Sequence, residues 1–467
     1  MSDTTPPGSP VPDPNAANGG FQPSGETPKF NPEARHQSRP RLRAVRGFGA
    51  QFQGKPAIGL ADARQLSDKV VFTAPAFAQV LPLMDGQRSL DEIVSQVGKG
   101  LTVEMLQTLV AQLDDACLLE GPGFDALVAK IHADFDASDT LPPGSTATVA
   151  EALAQQELGE ESTEEQRAEA APGALARALD KFIAMSLEKA EDPALDELPK
   201  AIIAPHIDYF RGWMNYGAIY GRMRVVDRPD RIVILGTNHF GSGTGVVACD
   251  KGYETPLGVS PADQTLIAAV RRRLGEGAER LFKDRFDHER EHSIELQIPW
   301  IQHVFGKDDA GRQVPVFGAL VHDPTVNSGH SYDGKGTGLD EFLDALEGAL
   351  EEVGGRTLII SSADLSHVGP AFGDQQPVMG DAPEIKQFQQ KVLGHDRELL
   401  SLVEQNKVDD LLTNMAWQQN PTRWCSVGNI VATMRLAKPG RVRILNYAAA
   451  ADPQGQGMVS HCAAVMS

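Results

Sequence analysis

From about residue 173 to the end, short apolar runs alternate with longer amphipathic ones. The runs AIIAP (201–205), RIVILG (231–236), 244–249, 315–321, TLIISS (357–362), 443–449 and 458–466 are rich in β-branched or small apolar residues, and several end in Gly, Pro or Ser. Runs bounded this way read as strands buried on both faces of a sheet. Between them, 213–224, 262–274, 293–304, 339–353, 382–405, 407–416 and 425–436 carry apolar residues at helical spacing, as does ALARALDKFIAMSLEKA before the first strand. Alternating strands and helices predict an α/β domain over 173–467, with a central, mostly parallel sheet and helices on both faces. The last two strands are expected to pair antiparallel.

The N-terminal part follows a different pattern. Residues 1–40 are rich in Pro, Gly, Ser and Asn, with few apolar residues, and are expected to be a disordered tail. Residues 41–137 read as a small separate domain. VFTAPAFAQVLPLMDG predicts a helix and a turn at Asp85-Gly86, and Ser89 and Glu92 have capping-box spacing. Val103, Leu106, Leu109, Val110 and Leu113 share a helical face, and Cys117-Leu118-Leu119 reads as a short strand. Helix, turn, helix, helix and strand suggest a winged-helix module. The runs LMDGQRSLDEIVSQVG and LVAQLDDACLLEG resemble small PqqD-type winged helices, which implies docking of a peptide or partner protein. A plain helical domain that supports the main fold explains the same pattern. Residues 138–172, with LPPGST and the acidic, Ala-rich ELGEESTEEQRAEAAPG, read as a linker, either an exposed helix or without order.

A formal net charge of −20 argues against a general nucleic-acid surface. The four cysteines (117, 249, 425, 462) form neither a disulfide framework nor a CxxC motif, which fits a reducing cytoplasm. No apolar leader is readable, and no apolar run approaches the ~20 residues a membrane span needs.

Three of the apolar runs break into polar loops that carry a histidine: His206 after IIAP, His239 after VILGTN, and His367 in SSADLSHVG. Ligands gather at the carboxyl ends of parallel strands. Three histidines at equivalent ends point to one site, most simply a metal site, because imidazole is the commonest ligand and a carboxylate usually holds its second nitrogen. Asp208 and Asp364 are candidates for that second role. Asp364 and His367, three apart, would meet on a helical turn, which suits an acid/base histidine oriented by a carboxylate. A capping turn explains Ser361, Ser362 and Asp364 as well, but not the histidine. Cys425 stands where the loop NPTRWC enters a helix, a setting that favours the metal-binding thiolate. Cys117, Cys249 and Cys462 read as core. His288 to His292 fits the H-x-x-E-H pattern of inverted zinc peptidases. Its polar flanks, and a helix that starts only at Ser293, argue against that reading. His292 is expected to project from a loop into the same cleft, and His288 to be exposed.

APHIDY, ILGTNHF, YETPLGVSPAD, EHSIELQIPW, SSADLSHVG and the late Cys425 stand in the order expected of the Memo-like family, which includes AmmeMemoRadiSam system protein B. Over roughly 173–467 the chain resembles that family, and EHSIE and TPLG are its most distinctive parts. The resemblance implies a fold similar to class III extradiol, non-haem-iron dioxygenases. It implies His206, His239 and Cys425 as metal ligands, His367 as the acid/base group and His292 as a cleft residue. The dioxygenases use two histidines and a carboxylate. A thiolate in place of the carboxylate implies a single iron or copper ion ahead of zinc, and counts against ring cleavage. The chain departs from the family at Asp208 (usually Gly), at Asn238 (frequently Ser) and at Ala363, an apparent insertion, and AAPGALARAL lacks the usual aromatic-Pro signature. Asp208 is therefore an additional candidate ligand. The resemblance implies a redox or accessory role beside a radical-SAM enzyme and an Amme-type protein. A non-catalytic scaffold for a peptide or phosphopeptide, and an extradiol-type dioxygenase, are the alternatives.

Overall fold

The computed structural model describes residues 28–467 apart from Gln53 and Gln65. Its described residues form two compact units, one up to Ser138 and one from Asp139 to Ser467. Of the tail expected over 1–40, residues 1–27 lie outside the described residues. Residues 28–40 are tied down: a short helix α1 (Arg35–Ser38) buries Gln37, whose amide donates to Asp114 Oδ2 at 2.6 Å.

In the first unit, β1 (Val45–Phe52), β2 (Lys55–Asp62) and β3 (Val71–Thr73) form an antiparallel sheet in that order. Helices α2 (Leu90–Val97), α3 (Val103–Asp115) and α4 (Pro122–Ala137) follow. The capping box is present: Ser89 Oγ accepts from the Glu92 amide, and the Glu92 carboxylate accepts from the Ser89 amide. Leu106, Leu109, Val110 and Leu113 of α3 pack with Ile93 and Leu118, as their spacing predicts. Two local expectations fail. The stretch expected as a helix and a turn over 71–86 is β3 followed by two 3-10 turns, because Pro82 lacks the amide that would bond back to Ala78 in a continuous helix. The strand expected at 117–119 is a turn, with Cys117 at φ 55° and only an isolated bridge from Leu119 to Leu42.

The second unit runs β4 (Thr140–Leu141), α5 (Ser145–Leu158), α6 (Glu164–Leu187), β5 (Ala201–Ala204), α7 (Tyr209–Arg222), β6 (Arg231–Thr237), β7 (Val247–Cys249), β8 (Gly252–Thr255) and β9 (Gly258–Ser260). It continues through α8 (Gln264–Leu274), α9 (Ala278–Phe282), α10 (His292–Glu295), α11 (Ile298–Phe305), β10 (Val316–Val321), α12 (Leu339–Val353), β11 (Thr357–Ser362) and β12 (Asp364–Val368). It closes with α13 (Pro383–Glu404), α14 (Val408–Gln418), α15 (Val427–Ala437), β13 (Val442–Ala451) and β14 (Met458–Met466).

The main sheet has the order β12-β14-β5-β11-β6-β10-β7, with β13 on β14. Only β5, β11, β6 and β10 pair in parallel; β7, β12, β13 and β14 join antiparallel. The sheet is therefore mixed rather than mostly parallel. The last two strands form a hairpin, which forces opposite directions, whereas the parallel core strands are linked by helical crossovers. Alternate residues of the core strands (Ile203, Val233, Leu235, Phe317, Ala319, Ile359) share one core with α8, α12 and α15. Elsewhere Trp300 of α11 stacks on Tyr216 and Tyr220 of α7 with centroids 5.3 and 5.6 Å apart. Such aromatic pairs add about 0.5–1.5 kcal/mol each beyond area burial.

The segment read as a linker, 138–172, is largely folded. β4 pairs with β8, and α5 buries Val149, Ala150, Leu153 and Ala154. Helix α6 starts at Glu164 behind a Thr163–Gln166 capping box and runs through Pro172. No helix among the described residues is long and apolar enough to cross a membrane.

Candidate metal centre

The parallel core places the chemistry. β5 and β6 flank β11, and past their carboxyl ends lie His206, His239 and Asp364. Gly236, near the end of β6, allows a close approach: a Cβ there would sit 2.6 Å from Ser293 Oγ and 2.7 Å from Ile294. Its role is to admit α10 against the strand. That contact brings His292 beside His239. Cys425 arrives from the loop that leads into α15.

His206, His239 and His292 each offer a ring nitrogen, and these atoms lie within 4.8 Å of one another. The ring centroids are 5.1 Å (206–239), 5.5 Å (206–292) and 4.8 Å (239–292) apart. The Cys425 sulfur is 3.3 Å from His206 Nε2 and 3.2 Å from Ser426 Oγ. The outer ring nitrogens already have partners. His206 Nδ1 donates to the Ser362 carbonyl at 3.1 Å, and Asn429 Nδ2 holds that carbonyl from the other side at 2.7 Å. His239 Nδ1 is 2.9 Å from Glu291 Oε1, while Glu291 Oε2 accepts from the His239 amide at 2.7 Å. Glu291 Oε1 also lies 3.3 Å from His292 Nδ1. These contacts fix each ring by its outer nitrogen and turn the other nitrogen of His206 and His239 towards the Cys425 sulfur, the arrangement metal-binding histidines adopt.

The electrostatics follow from burial. His206 lies well below the usual histidine range, because burial and then the neighbouring imidazoles disfavour its charge. Burial also holds His292 and His367 down at about 4. At His239, burial acts against the charged ring, but Glu291 and the Cys425 sulfur outweigh it and hold the ring well above its ordinary value. Burial likewise opposes the Glu291 charge, yet His239 and His292 bring that carboxyl down to about 2. Burial pushes Asp364 up to about 7, against the pull of the amides of His206 and Ile207.

Several expected roles change. Residues 364–368 are a strand, not a helical turn, so Asp364 and His367 do not stack. Asp364 Oδ1 accepts from the His206 amide at 3.0 Å, and Oδ2 lies 3.7 Å from His206 Nε2. His367 instead donates Nδ1 to the Leu365 carbonyl at 2.9 Å and packs against Phe372. Asp208, the extra candidate ligand, caps α7 and pairs with Arg211. His288 is buried rather than exposed, bonded to Tyr253 and the Val247 carbonyl. His292 joins the donor group itself. Glu291, passed over in sequence, is the carboxylate that holds His239. The H-x-x-E-H pattern contained Glu291, but its peptidase reading gave no sign of the contact with His239.

The three imidazoles and the thiol together suit one transition-metal ion, since these are the donors that bind iron, copper and zinc. A family model described as Memo-like protein matches residues 170–465, a span that holds every residue of this cluster. The chain belongs to the Memo-like family. It is 27% identical over 292 residues to a MEMO1 family protein of Desulfurococcus amylolyticus, covering 61% of this chain and 89% of that protein. A MEMO1 family protein of Pyrobaculum arsenaticum is 28% identical over 267 residues, 56% of this chain and 81% of its own. One from Methanopyrus kandleri is 31% identical over 170 residues, 36% of this chain and 53% of its own. β4 and α5 lie outside the Memo-like match, although they pack into the same unit.

Proposed function

We propose that this chain is a mononuclear metalloprotein of redox or accessory function. In this reading His206, His239 and Cys425 hold one iron or copper ion, and His292 is a fourth donor. The observation that carries it is the convergence of three imidazoles within 4.8 Å, with the Cys425 sulfur 3.3 Å from one of them. The bound ion would supply an electron-transfer or Lewis-acid centre. Glu291 and the Ser362 carbonyl orient the rings. Asp364, pushed up to about 7, is the group beside His206 able to take or release a proton near neutrality. His367, neutral at that pH, presents Nε2 as a proton acceptor. Ring cleavage of a catechol is disfavoured, because Glu291 and Asp364 are engaged with histidine amides and rings rather than grouped as donors.

Family membership supports a place beside a radical-SAM enzyme and an Amme-type protein, and the compact first unit is the proposed dock for a peptide. Elemental analysis of anaerobically purified protein tests the centre. About one iron or copper per chain is expected, and His206→Ala is expected to lose it with the far-ultraviolet circular dichroism unchanged. Stoichiometric metal in that variant overturns the ligand assignment. Oxygen uptake on a catechol panel under Fe(II) would revive the dioxygenase reading.

A further inference from the structure

Away from the histidine cluster, the Asp396 carboxylate on α13 is fully buried and accepts hydrogen bonds from four separate segments. Oδ1 takes the Ser366 hydroxyl at 2.5 Å and the Trp424 indole N–H at 2.7 Å. Oδ2 takes the Ser460 hydroxyl at 2.5 Å and the Tyr447 hydroxyl at 2.6 Å. A buried carboxylate is a weak device for stability alone, since well-packed apolar residues serve as well or better. The two Oδ1 donors suggest another use. Ser366 directly precedes His367, and Trp424 directly precedes Cys425.

The loop that delivers Cys425 needs restraint. Gln419, Asn420 and Arg423 all adopt positive φ, at 58°, 46° and 58°, a region that disfavours side chains with a Cβ. The loop is stitched to β12 by the His367 amide donating to the Thr422 carbonyl and by Arg423 Nε donating to the His367 carbonyl, both at 2.8 Å. Those bonds tie strand and loop to each other. Asp396 ties both to the core, and its Trp424 partner is itself buried.

We propose that Asp396 is a positioning residue that fixes the Cys425 sulfur against the histidine cluster through Trp424 and Ser366. The proposal rests on Cys425 being a metal ligand, and the test separates the two claims. The probe is Co(II) added to the metal-free full chain. Wild-type protein shows a sulfur-to-cobalt charge-transfer band that Cys425→Ser lacks. Asp396→Asn and Trp424→Phe shift or weaken that band and lower Co(II) affinity about tenfold, as loss of an outer-shell support does. In the metal-free state, iodoacetamide alkylates Cys425 several-fold faster in both. Tyr447→Phe removes a donor from the other oxygen of the same carboxylate and leaves band and alkylation rate unchanged.

A merely structural role would lower thermal stability in all these variants while leaving the band in place. Wild-type bands and alkylation rates in Asp396→Asn and Trp424→Phe overturn the proposal and spare the ligand reading, as does identical behaviour of Trp424→Phe and Tyr447→Phe. Absence of a sulfur band in the wild type overturns the ligand reading and this proposal with it. Where Asp396→Asn fails to fold, the Trp424 and Tyr447 comparison decides.

Discussion

Glu291 places one oxygen on the His239 ring and the other on the His239 amide, so orientation and charge come from the same side chain. Glu291→Gln keeps the shape and removes the charge. Metal affinity is expected to fall about 10–100-fold, the usual cost of losing an outer-shell carboxylate, as read by competition with a chelator; unchanged affinity would deny Glu291 this role. His461 makes a different test. Its ring is fully buried, accepts from Asn215 Nδ2 at Nδ1, and burial, then Arg211, holds it down at about 4. The unfolded chain protonates this ring below about 6.5 while the native state does not. Its contribution to stability is therefore complete above that pH, falls as pH drops towards 4, and amounts to about 3 kcal/mol over that window. His461→Gln is expected to flatten the fall of unfolding free energy between pH 7 and 4.5; a parallel pH profile contradicts the assignment. At this scale it was legible that His206, His239 and Cys425 lie together, because strand ends and a helix start fix where a side chain emerges. The partner of Asp364 was not. Three-residue spacing means contact only if the backbone is helical, and in an extended strand it carries the two side chains apart.

The Glu295 carboxylate shows what element-level patterns miss. It accepts from the amides of Gly144, Ser145 and Thr146 and from the Thr146 hydroxyl, at 2.6–3.1 Å, so it caps α5 from 149 residues away in the case of Thr146. Those amides are the unsatisfied donors of a helix start, and an anion there is favoured by both hydrogen bonding and the helix dipole. α5 read as linker because its apolar face is short, with only Val149 and Leu153 beside two alanines, and its cap is distant in the chain. The strands read well because a continuous apolar run needs no distant partner to be recognised. Glu295→Ala leaves several buried donors without an acceptor. About 3 kcal/mol of unfolding free energy is expected to be lost, measured by urea denaturation, together with faster proteolysis within 139–160. Glu295 lies one helical turn from His292, so metal affinity should weaken as well. Full stability in Glu295→Ala would mean that α5 is held by its apolar face alone.

On the scale of the whole molecule, the family match and the physical unit have different edges. The match starts at residue 170, but the compact unit starts at Asp139, and the intervening β4 and α5 cover the β8 edge and Glu295. An open strand edge and an uncapped buried carboxylate are both unfavourable. A chain that begins at Asp139 should therefore unfold cooperatively and bind metal as the 467-residue chain does, since all four proposed donors lie beyond that point. A chain that begins at residue 170 should lose several kcal/mol, by the same donor and edge arguments. A metal held only by the native state would shift stability by mass action. Chelation should therefore lower the melting temperature of the 467-residue and 139-start chains by the same amount, and the 170-start chain should melt lowest, with or without metal. Equal melting of the two truncated chains would show that residues 139–169 only lie on the unit and that its boundary is the family's. A smaller metal-dependent shift in the 139-start chain would contradict the placing of all four proposed donors beyond Asp139.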